Sequence, residues 1–407
     1  MRFRWSVIWL LPLLSIACAP RGPDALRLAT WGSLQEIAVL RTWLEDRQRA
    51  HPDDPVELIH IPDAYFQKLP ILRAAGRFPD VLFLNSWYLP AFARAGALRP
   101  LERLPGLDRK AHPAVALSAL SWQNHLHALP RDVSNLVVYV NLEAFAARGL
   151  PLPGRDWSLA TYLTTARKLA HDRLDGRHLF GAAADPRPIF WFPLLQAAGM
   201  TWWKPGDRET RLADPGALET LEALQGLRQE GVAPDERSAG RTPAGQLFVE
   251  GRLGMWISGR WSIPSLRERA PFRWDVWPLP GGVRVADASG WAIARDTRFP
   301  DRAWQLVRDL TGRDLVERHA ASGLIVPARH DVSRRLAELD RGQPPAHASL
   351  FIESLQGARP TALPPSWPRT SIALERALDP LWSGRRAARE VLPEAARRVA
   401  ESLGDPS

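Results

Sequence analysis

The spacing of apolar residues changes from two to three or four and back again along the first part of the chain. Residues 26–31 and 56–61 alternate like half-buried strands, and residues 81–84 form a short, wholly apolar strand. Residues 34–49 and 65–75 repeat their apolar positions at helical spacing. Strands and helices in alternation indicate βαβ units. The sequence therefore predicts an α/β fold with mostly parallel sheets flanked by helices.

The strand-like and helix-like spacings of apolar residues occur again further along the chain. Strand patterns occur at residues 126–129, 135–140 and 253–257. Helix patterns occur at residues 92–98, 159–171, 215–230, 303–311 and 372–382. With 407 residues, of which 45% are hydrophobic, the chain is long enough to build two cores. We therefore expect two lobes.

The N-terminal residues carry the pattern of an export signal. Two arginines precede an apolar run at residues 5–17. A run of ~13 residues is too short for a membrane span, which needs about 20, and it matches the apolar region of a signal peptide. We expect residues 1–17 to be removed and the mature protein to be exported.

Cys18 directly follows this segment and is the only cysteine in the chain. An intramolecular disulfide is therefore excluded. The sequence Ser15-Ile16-Ala17-Cys18 resembles a bacterial lipoprotein cleavage site, after which the cysteine carries lipid, but Ser15 and Ala17 also fit ordinary signal cleavage. We expect lipidation at Cys18, with residues 18–24 as a tether to the membrane.

The formal net charge of +9 does not by itself indicate a nucleic-acid surface. Arginine and lysine total 53 against 44 acidic residues, and only four of the basic residues are lysines. The basic residues are scattered among acidic ones, as in residues 41–49, and are not gathered along one stripe. We expect no nucleic-acid partner.

Several separated motifs together resemble one protein family. They are Thr-Trp-Gly-Ser at residues 30–33, Ala-Gly-Arg-Phe-Pro-Asp-Val at 75–81, Ala-Gly-Ala-Leu-Arg-Pro-Leu at 95–101, Gly-Arg-Leu-Gly-Met and Gly-Arg-Trp within 251–261, and Gly-Leu-Ile-Val-Pro at 323–327. In this order, the motifs resemble those of the extracytoplasmic solute-binding proteins of ABC importers. The resemblance is to the carbohydrate group that includes maltose-binding and glycerol-3-phosphate-binding proteins.

The resemblance implies a two-lobed periplasmic binding protein fold of type II. It places the first lobe at residues 25–131 and 288–330, and the second at residues 132–287 and 331–404. It implies a monomer that closes over a carbohydrate between its lobes and passes it to the transmembrane subunits of an ABC permease. It implies neither a cofactor nor a chemical reaction.

Aromatic residues at the ends of predicted strands are the first ligand candidates. The chain has 18 tryptophans and four tyrosines, and an indole face can stack on the C–H face of a sugar. Ligands of open parallel sheets bind beyond the carboxyl ends of the strands. We therefore expect ligand contacts from five residues that follow strands: Trp31, Ser33, Asn85, Ser86 and Trp87.

The resemblance adds further candidates. Asp132 either binds ligand or forms a salt bridge with a neighbouring arginine, and Tyr65 either touches ligand or packs at a helix start. Trp261 ends the Gly-x-Trp motif and is the first choice for stacking on a sugar. The remaining candidates from the resemblance are Trp191, Trp203, Gly290, Trp291 and Arg369. In a receptor for a phosphorylated polyol, Arg369 would pair with the phosphate.

The motifs of common enzymes are missing. The sequence has no Gly-x-Ser-x-Gly elbow, no His-Glu-x-x-His helix and no glycine-rich phosphate loop, so we expect no enzyme and no metal site. An exported glycoside hydrolase is the alternative from another class, and it requires two carboxyl groups roughly 5–10 Å apart. A receptor for glycerol-3-phosphate or another phosphorylated polyol is the alternative among binding proteins.

Overall fold

The computed structural model describes residues 24–172, 177–206, 208–240 and 242–404. The predicted signal segment and Cys18 lie outside the described residues. Strands β1 to β13 are, in chain order, Leu26–Thr30, Val56–His60, Val81–Asn85, Ser121–Trp122, His125–Leu126, Ala128–Asn135, Val137–Asn141, His171–Asp172, His178–Ala182, Leu253–Ser258, Trp274–Trp277, Ala286–Ile293 and Val326–Pro327.

The α-helices alternate with these strands and then dominate the C-terminal part. Helices α1 to α18 are Leu34–Ala50, Tyr65–Ala74, Leu89–Arg94, Ala114–Ala119, Leu142–Ala147, Leu159–Leu169, Pro188–Ala197, Pro215–Gln229, Glu236–Ala239, Ala244–Val249, Ile263–Arg269, Pro300–Leu310, Arg313–Ala321, His330–Ser333, Leu336–Leu339, Leu350–Glu353, Trp367–Trp382 and Ala388–Gly404. Short 3-10 turns lie at Arg109–Ala111, Arg260–Ser262 and Pro280–Gly282.

Two sheets organise the chain into two lobes, as predicted. The first sheet has the strand order β13-β6-β12-β3-β1-β2, and the second has the order β11-β7-β10-β9-β8. β1 pairs in parallel with β2 and β3, and β10 pairs in parallel with β9. The other pairs within these two sheets are antiparallel. The sheets are therefore mixed, and the expectation of mostly parallel sheets needs this correction.

The path of the chain between the sheets explains the antiparallel pairs. β6 carries the chain out of the first sheet toward β7, and β12 carries it back from the second sheet. A strand that leaves and a strand that returns run in opposite directions when they lie side by side. β6 and β12 pair in this way along their lengths. The first sheet consequently includes residues 132–135 and 286–287, which the predicted boundaries give to the second lobe.

The first helix shows how local sequence fixes the strand ends. Ser33 has an extended backbone, and its hydroxyl oxygen accepts a hydrogen bond from the Glu36 N–H at 3.2 Å, which caps α1. The apolar face of α1 buries Ile37, Leu40 and Trp43. Because α1 starts immediately after β1, the residues between them are held at the edge of the sheet.

The helix predicted at residues 372–382 begins earlier, at Trp367. By composition alone, the proline-rich segment before this helix is predicted to be a connecting loop. However, Pro368 stands in the first turn of α17, where the missing N–H of proline is not needed. The added turn places Trp367 among the buried residues of the second lobe's core.

Gly181 of β9 offers a test of how α6 packs on the second sheet. A Cβ atom at this position would lie 1.7 Å from the carbonyl oxygen of Ala166 in α6, so backbone would have to move. We expect Gly181→Ala to lower the free energy of unfolding by about 2 kcal/mol or more, measured by urea denaturation.

Gly154→Ala is the matched control for this substitution. A Cβ there would meet only the side-chain oxygen of Asp156, at 3.0 Å, which can rotate away. Equal stability of the Gly181 and Gly154 variants would contradict the close approach of α6 to β9.

Candidate ligand-binding cleft

The parallel strands of the first sheet end at one edge, where the first candidates lie. β1, β2 and β3 end at Thr30, His60 and Asn85. His60 Nε2 lies 3.1 Å from the carbonyl oxygen of Gly32, so the loops after β1 and β2 are in contact. Because this is the edge at which open sheets bind ligands, it is the natural wall of a cleft.

An aromatic wall covers this edge. The Trp31 ring centroid lies 4.9 Å from that of Phe66, and Phe66 stacks in parallel on Tyr88 at 3.8 Å. Tyr65 also contacts Trp31, but it is buried and its hydroxyl donates to the carbonyl oxygen of Ala29 at 3.0 Å. The structure therefore places Tyr65 as a packing residue and makes Phe66 the neighbour of Trp31 at the surface.

Tyr88 connects this wall to the second lobe. Burial raises the pKa of its phenol, a hydrogen bond with the Ser371 side chain lowers it, and the Glu375 carboxylate raises it. Ser371 and Glu375 stand four residues apart on α17, so they share one face of that helix. Neither residue was a candidate from the sequence, because the predicted helix began at residue 372 and left Ser371 outside it.

Trp87 is held by the buried carboxylate of Asp287, which was not a candidate from the sequence. The indole Nε1–H of Trp87 donates to Asp287 Oδ2 at 2.8 Å, and the Ser86 hydroxyl donates to Oδ1 at 3.2 Å. The Thr361 N–H and hydroxyl donate to the same carboxylate at 3.0 and 2.7 Å. Burial raises the pKa of Asp287, and these four donors oppose that shift. Asp287 thus joins three segments that are distant in sequence.

The indole of Trp87 lies between the lobes. Its ring centroid is 5.2 Å from that of Trp367 in an edge-to-face contact, and 6.0 Å from that of Phe192. Both partners belong to the second lobe's core. Trp87 is therefore part of the contact between the lobes as well as a neighbour of the first sheet's edge.

Asp132 forms the salt bridge that was its alternative interpretation. Arg131 contacts Asp132 Oδ2 through Nη2 and Glu36 Oε1 through Nη1, both at 2.6 Å, and its guanidinium lies 4.1 Å from the Phe83 ring centroid. Burial raises the pKa of Asp132, and the arginine opposes this. With 5% of its surface exposed, Asp132 supports the base of the wall and is not presented to a ligand.

Trp261 stands at the corresponding edge of the second sheet. β9 and β10 are parallel and end at Ala182 and Ser258, so Trp261 follows a carboxyl end. A Cβ at Gly259 would lie 2.0 Å from the Trp261 ring, which shows that the indole rests directly on the glycine backbone. The Tyr139 hydroxyl donates to the Gly259 carbonyl at 2.8 Å. Trp261 is 40% exposed on this fixed base.

The other candidate tryptophans are core residues. Trp191, Trp203 and Trp291 are 1%, 6% and 0% exposed. Trp191 Nε1–H donates to the Pro186 carbonyl oxygen at 3.0 Å, and Trp291 packs on Phe83 with ring centroids 4.6 Å apart. Trp291 is in the core because β12 is buried on both faces, and Trp191 because α7 is apolar nearly all round. Trp203 follows α7 and packs beside Trp202, with ring centroids 6.1 Å apart.

Gly290 and Arg369 have structural partners. A Cβ at Gly290 would lie 2.3 Å from the Leu129 carbonyl oxygen, so this glycine permits the close pairing of β12 with β6. Arg369 donates through Nε and Nη2 to the Ser402 carbonyl oxygen at 3.3 and 2.8 Å. That contact ties α17 to α18.

The structure thus places the other candidates in three locations. Trp31, Asn85 and Trp87 cluster at the edge of the first sheet, where Ser33 is exposed as the cap of α1, and Trp261 lies at the edge of the second sheet. Ser86 and Trp203 line a different space, a cavity of about 620 Å³ between the lobes. Within residues 24–172, 177–206, 208–240 and 242–404, no three histidine, cysteine or acidic side chains gather as a metal site.

Comparison with known proteins gives consistent matches over most of the chain. The family of bacterial extracellular solute-binding proteins matches residues 48–341. A binding protein of Brucella abortus is 22% identical over 345 residues, which is 83% of this chain and 82% of that protein. A maltotriose-binding protein of Pyrococcus abyssi is 23% identical over 302 residues, which is 70% of this chain and 62% of that protein.

A solved structure shows the same fold. The ABC substrate-binding protein of Listeria monocytogenes in complex with cycloalternan superposes with a TM-score of 0.84 at 19% identity. The match covers 94% of this chain and all of the Listeria chain. At this level of identity the similarity concerns the fold alone, and it confirms the two-lobed architecture.

The hydrogen bonds at Asp287 can be tested by changing the carboxylate to an amide. We expect Asp287→Asn to lower the free energy of unfolding by about 1–3 kcal/mol, because an amide oxygen cannot replace two acceptor oxygens for four buried donors. Urea denaturation of the variant and of Glu45→Gln, which changes an exposed carboxylate, measures the difference. Identical losses in both variants would contradict the role of Asp287.

Proposed function

The chain belongs to the family of bacterial extracellular solute-binding proteins, and we propose that it captures a neutral sugar or oligosaccharide between its lobes. One observation carries the proposal: the Trp261 indole is exposed on a fixed base at a strand end, whereas the candidate tryptophans of the core are buried. A half-exposed aromatic ring held in place by its neighbours is what stacking on a sugar face requires.

The polar groups near the aromatic residues suit hydroxyl groups. Asn85 offers an amide at the edge of the first sheet, and Glu375 offers an exposed carboxylate beside Tyr88. Amides and carboxylates can hydrogen-bond two neighbouring hydroxyls of a sugar ring. The maltotriose of the Pyrococcus relative's name and the cycloalternan of the Listeria complex are both oligosaccharides, which supports the same ligand class here.

We propose that the ligand stabilises a closed arrangement of the lobes. A sugar that touches the first lobe's aromatic wall and Trp261 makes its full set of contacts only when both lobes surround it, so binding shifts the population toward closure. The closed form would then be the one that an ABC permease accepts. No bond of the ligand changes in this cycle.

Two observations argue against the alternative functions, a receptor for a phosphorylated polyol and a glycoside hydrolase. Arg369 would have to face a phosphate in a phosphorylated-polyol receptor, but its Nε and Nη2 groups donate to the Ser402 carbonyl. A glycoside hydrolase needs a carboxyl pair open to the ligand, whereas Asp132 is buried against Arg131. We therefore propose a binding protein for a neutral ligand.

We further propose that the protein is exported and anchored through lipid at Cys18. The first described residue, Asp24, contacts Arg298 at 3.0 Å, and its carbonyl oxygen accepts from Arg302, so the tether would join the fold beside α12. In the part of the chain that the structure describes, no helix has the length and apolar character to cross a membrane. Acyl chains on Cys18 would hold the protein at the membrane surface.

Trp261→Ala tests the carbohydrate site. We expect the Kd for the bound sugar to rise about tenfold or more, because the stacking surface is removed, with little change in Tm since the indole is exposed. Isothermal titration calorimetry would follow a thermal-shift screen of mono- and disaccharides, maltodextrins and glycerol phosphodiesters.

Trp291→Phe is the matched control for a tryptophan in the core. It should lower Tm and leave the sugar Kd unchanged, because Trp291 is fully buried. Unchanged affinity in Trp261→Ala would remove the main support for this site. Stabilisation by phosphate-bearing compounds alone would overturn the sugar assignment and leave the receptor assignment standing.

Cys18→Ser tests the anchor. We expect the unchanged chain, expressed in a bacterium, to incorporate labelled palmitate and to sediment with membranes, and the serine variant to do neither. Gel autoradiography and fractionation measure the two properties. An unlabelled wild-type protein in the soluble fraction would show ordinary signal cleavage.

A further inference from the structure

A second interlobe space lies beside the Asp287 contacts. It has a volume of about 620 Å³, within the range of about 300–1,000 Å³ typical of small-molecule sites. The first lobe supplies Arg94 at the end of α3 and Ser118 and Trp122 from α4 and β4. The second lobe supplies Trp203 and Arg208, and residues 360–366 form a further wall. None of Trp31, Asn85 or Trp261 lines this space, so it is distinct from the candidate sugar site.

The charge of this cavity is unbalanced. Two arginines, Arg94 and Arg208, are among the described residues that line it, and no described lining residue is aspartate or glutamate. Both arginines are exposed, so each can turn toward an occupant. An anion would therefore gain two charge-assisted contacts there, one from each lobe.

The rest of the lining combines flat apolar rings with the hydroxyl groups of four serines and Thr361. Trp122 and Trp203 contribute indoles from opposite lobes, and five prolines contribute rings: Pro90, Pro205, Pro360, Pro364 and Pro365. Ring-shaped ligands pack well against such surfaces. We propose that this cavity is a second ligand site, for a small compound that carries a carboxylate on a ring, and that its occupancy is coupled to the angle between the lobes.

The coupling follows from the walls and from their hydrogen bonds. Because the walls come from both lobes, the width of the cavity depends on the interlobe angle, and a ligand that fits one angle favours it. Thr361 and Ser86 both line the cavity and both donate to Asp287, which also holds Trp87 between the lobes. By linkage, an occupant that changes sugar affinity must have its own affinity changed by sugar to the same extent. This coupling rests on the proposed function, whereas binding at the cavity does not.

Direct binding is tested with two probes, glucuronate and indole-3-acetate. Glucuronate carries its carboxylate directly on a polar ring, and indole-3-acetate carries it through one methylene group on an apolar ring. The two probes therefore distinguish an acidic sugar from an aromatic acid. We expect at least one probe to bind the mature chain in calorimetry, and we expect Arg94→Glu/Arg208→Glu to weaken it about tenfold or more.

Arg41→Glu/Arg103→Glu is the control, since it makes the same change in net charge at exposed positions outside the cavity. It should bind the probe like the unchanged chain. Absence of binding by both probes, or equal binding by the two double variants, would overturn the site.

Blocking the cavity with a bulky side chain tests independently where the probe binds. Ser118 is exposed at the cavity wall, so Ser118→Trp should fold normally and block the probe. For the coupling, the sugar Kd is measured with and without saturating probe, and we expect a change of about threefold or more, matched by the reciprocal titration. A bound probe that leaves the sugar Kd unchanged would overturn the coupling, and unhindered probe binding in Ser118→Trp would overturn the placement. If no sugar binds, the proposed function fails while the probe titrations still decide the cavity.

Discussion

The buried carboxylate of Asp287 is the contact on which the arrangement of the two lobes depends. Removing a carboxylate from water is costly unless hydrogen bonds replace its hydration. Here the replacement comes from donors in two segments that are distant from β12 in sequence: Ser86 and Trp87 directly after β3, and Thr361 before α17. Apolar contacts tolerate sliding, but hydrogen bonds require defined distances and angles. The place where the chain crosses between the lobes is therefore fixed by polar geometry, and apolar packing of each lobe can proceed around it.

The same contact determines the shape of the candidate cleft. Because the indole N–H of Trp87 is held by Asp287, its ring has one orientation, with an edge toward Trp367. The next residue, Tyr88, turns toward Phe66 and Ser371. Two consecutive residues thus carry both the interlobe contact and part of the aromatic wall. A change in the lobe angle must disturb both, so a ligand bound at the wall would be mechanically connected to movement at the crossing.

The sequence predicted the strands and helices well, but it predicted the partners of individual side chains less well. Hydrophobic periods located β1 to β3 and α1, and the rule for strand ends led to Trp31, Asn85 and Trp87. Trp261 and Trp291 could not be ranked by exposure, because a strand buried on both faces shows no alternation. Tyr65 was a candidate through the family resemblance, but its hydroxyl bonds to the Ala29 carbonyl oxygen 36 positions earlier, which no local pattern indicates. The pairing of Arg131 with Glu36 joins residues 95 positions apart, and no local pattern reports such a contact.

The net charge of the chain indicates less about ligand recognition than the local balance of charge does. The chain is formally +9, yet many arginines form ion pairs within the protein. Arg47 contacts Asp54 and Asp309, Arg131 contacts two acids, and Arg260 binds Asp340 deep in the structure. Such pairs present almost no field to a ligand, because the opposite charges lie within hydrogen-bond distance of each other. A positive charge matters for recognition where no acid accompanies it, as among the described residues that line the second interlobe cavity. The aromatic wall instead has the Glu375 carboxylate nearby, which accepts from hydroxyls and repels anions. The two spaces therefore differ in the sign of their local charge, and this difference would let one protein separate neutral from acidic ligands.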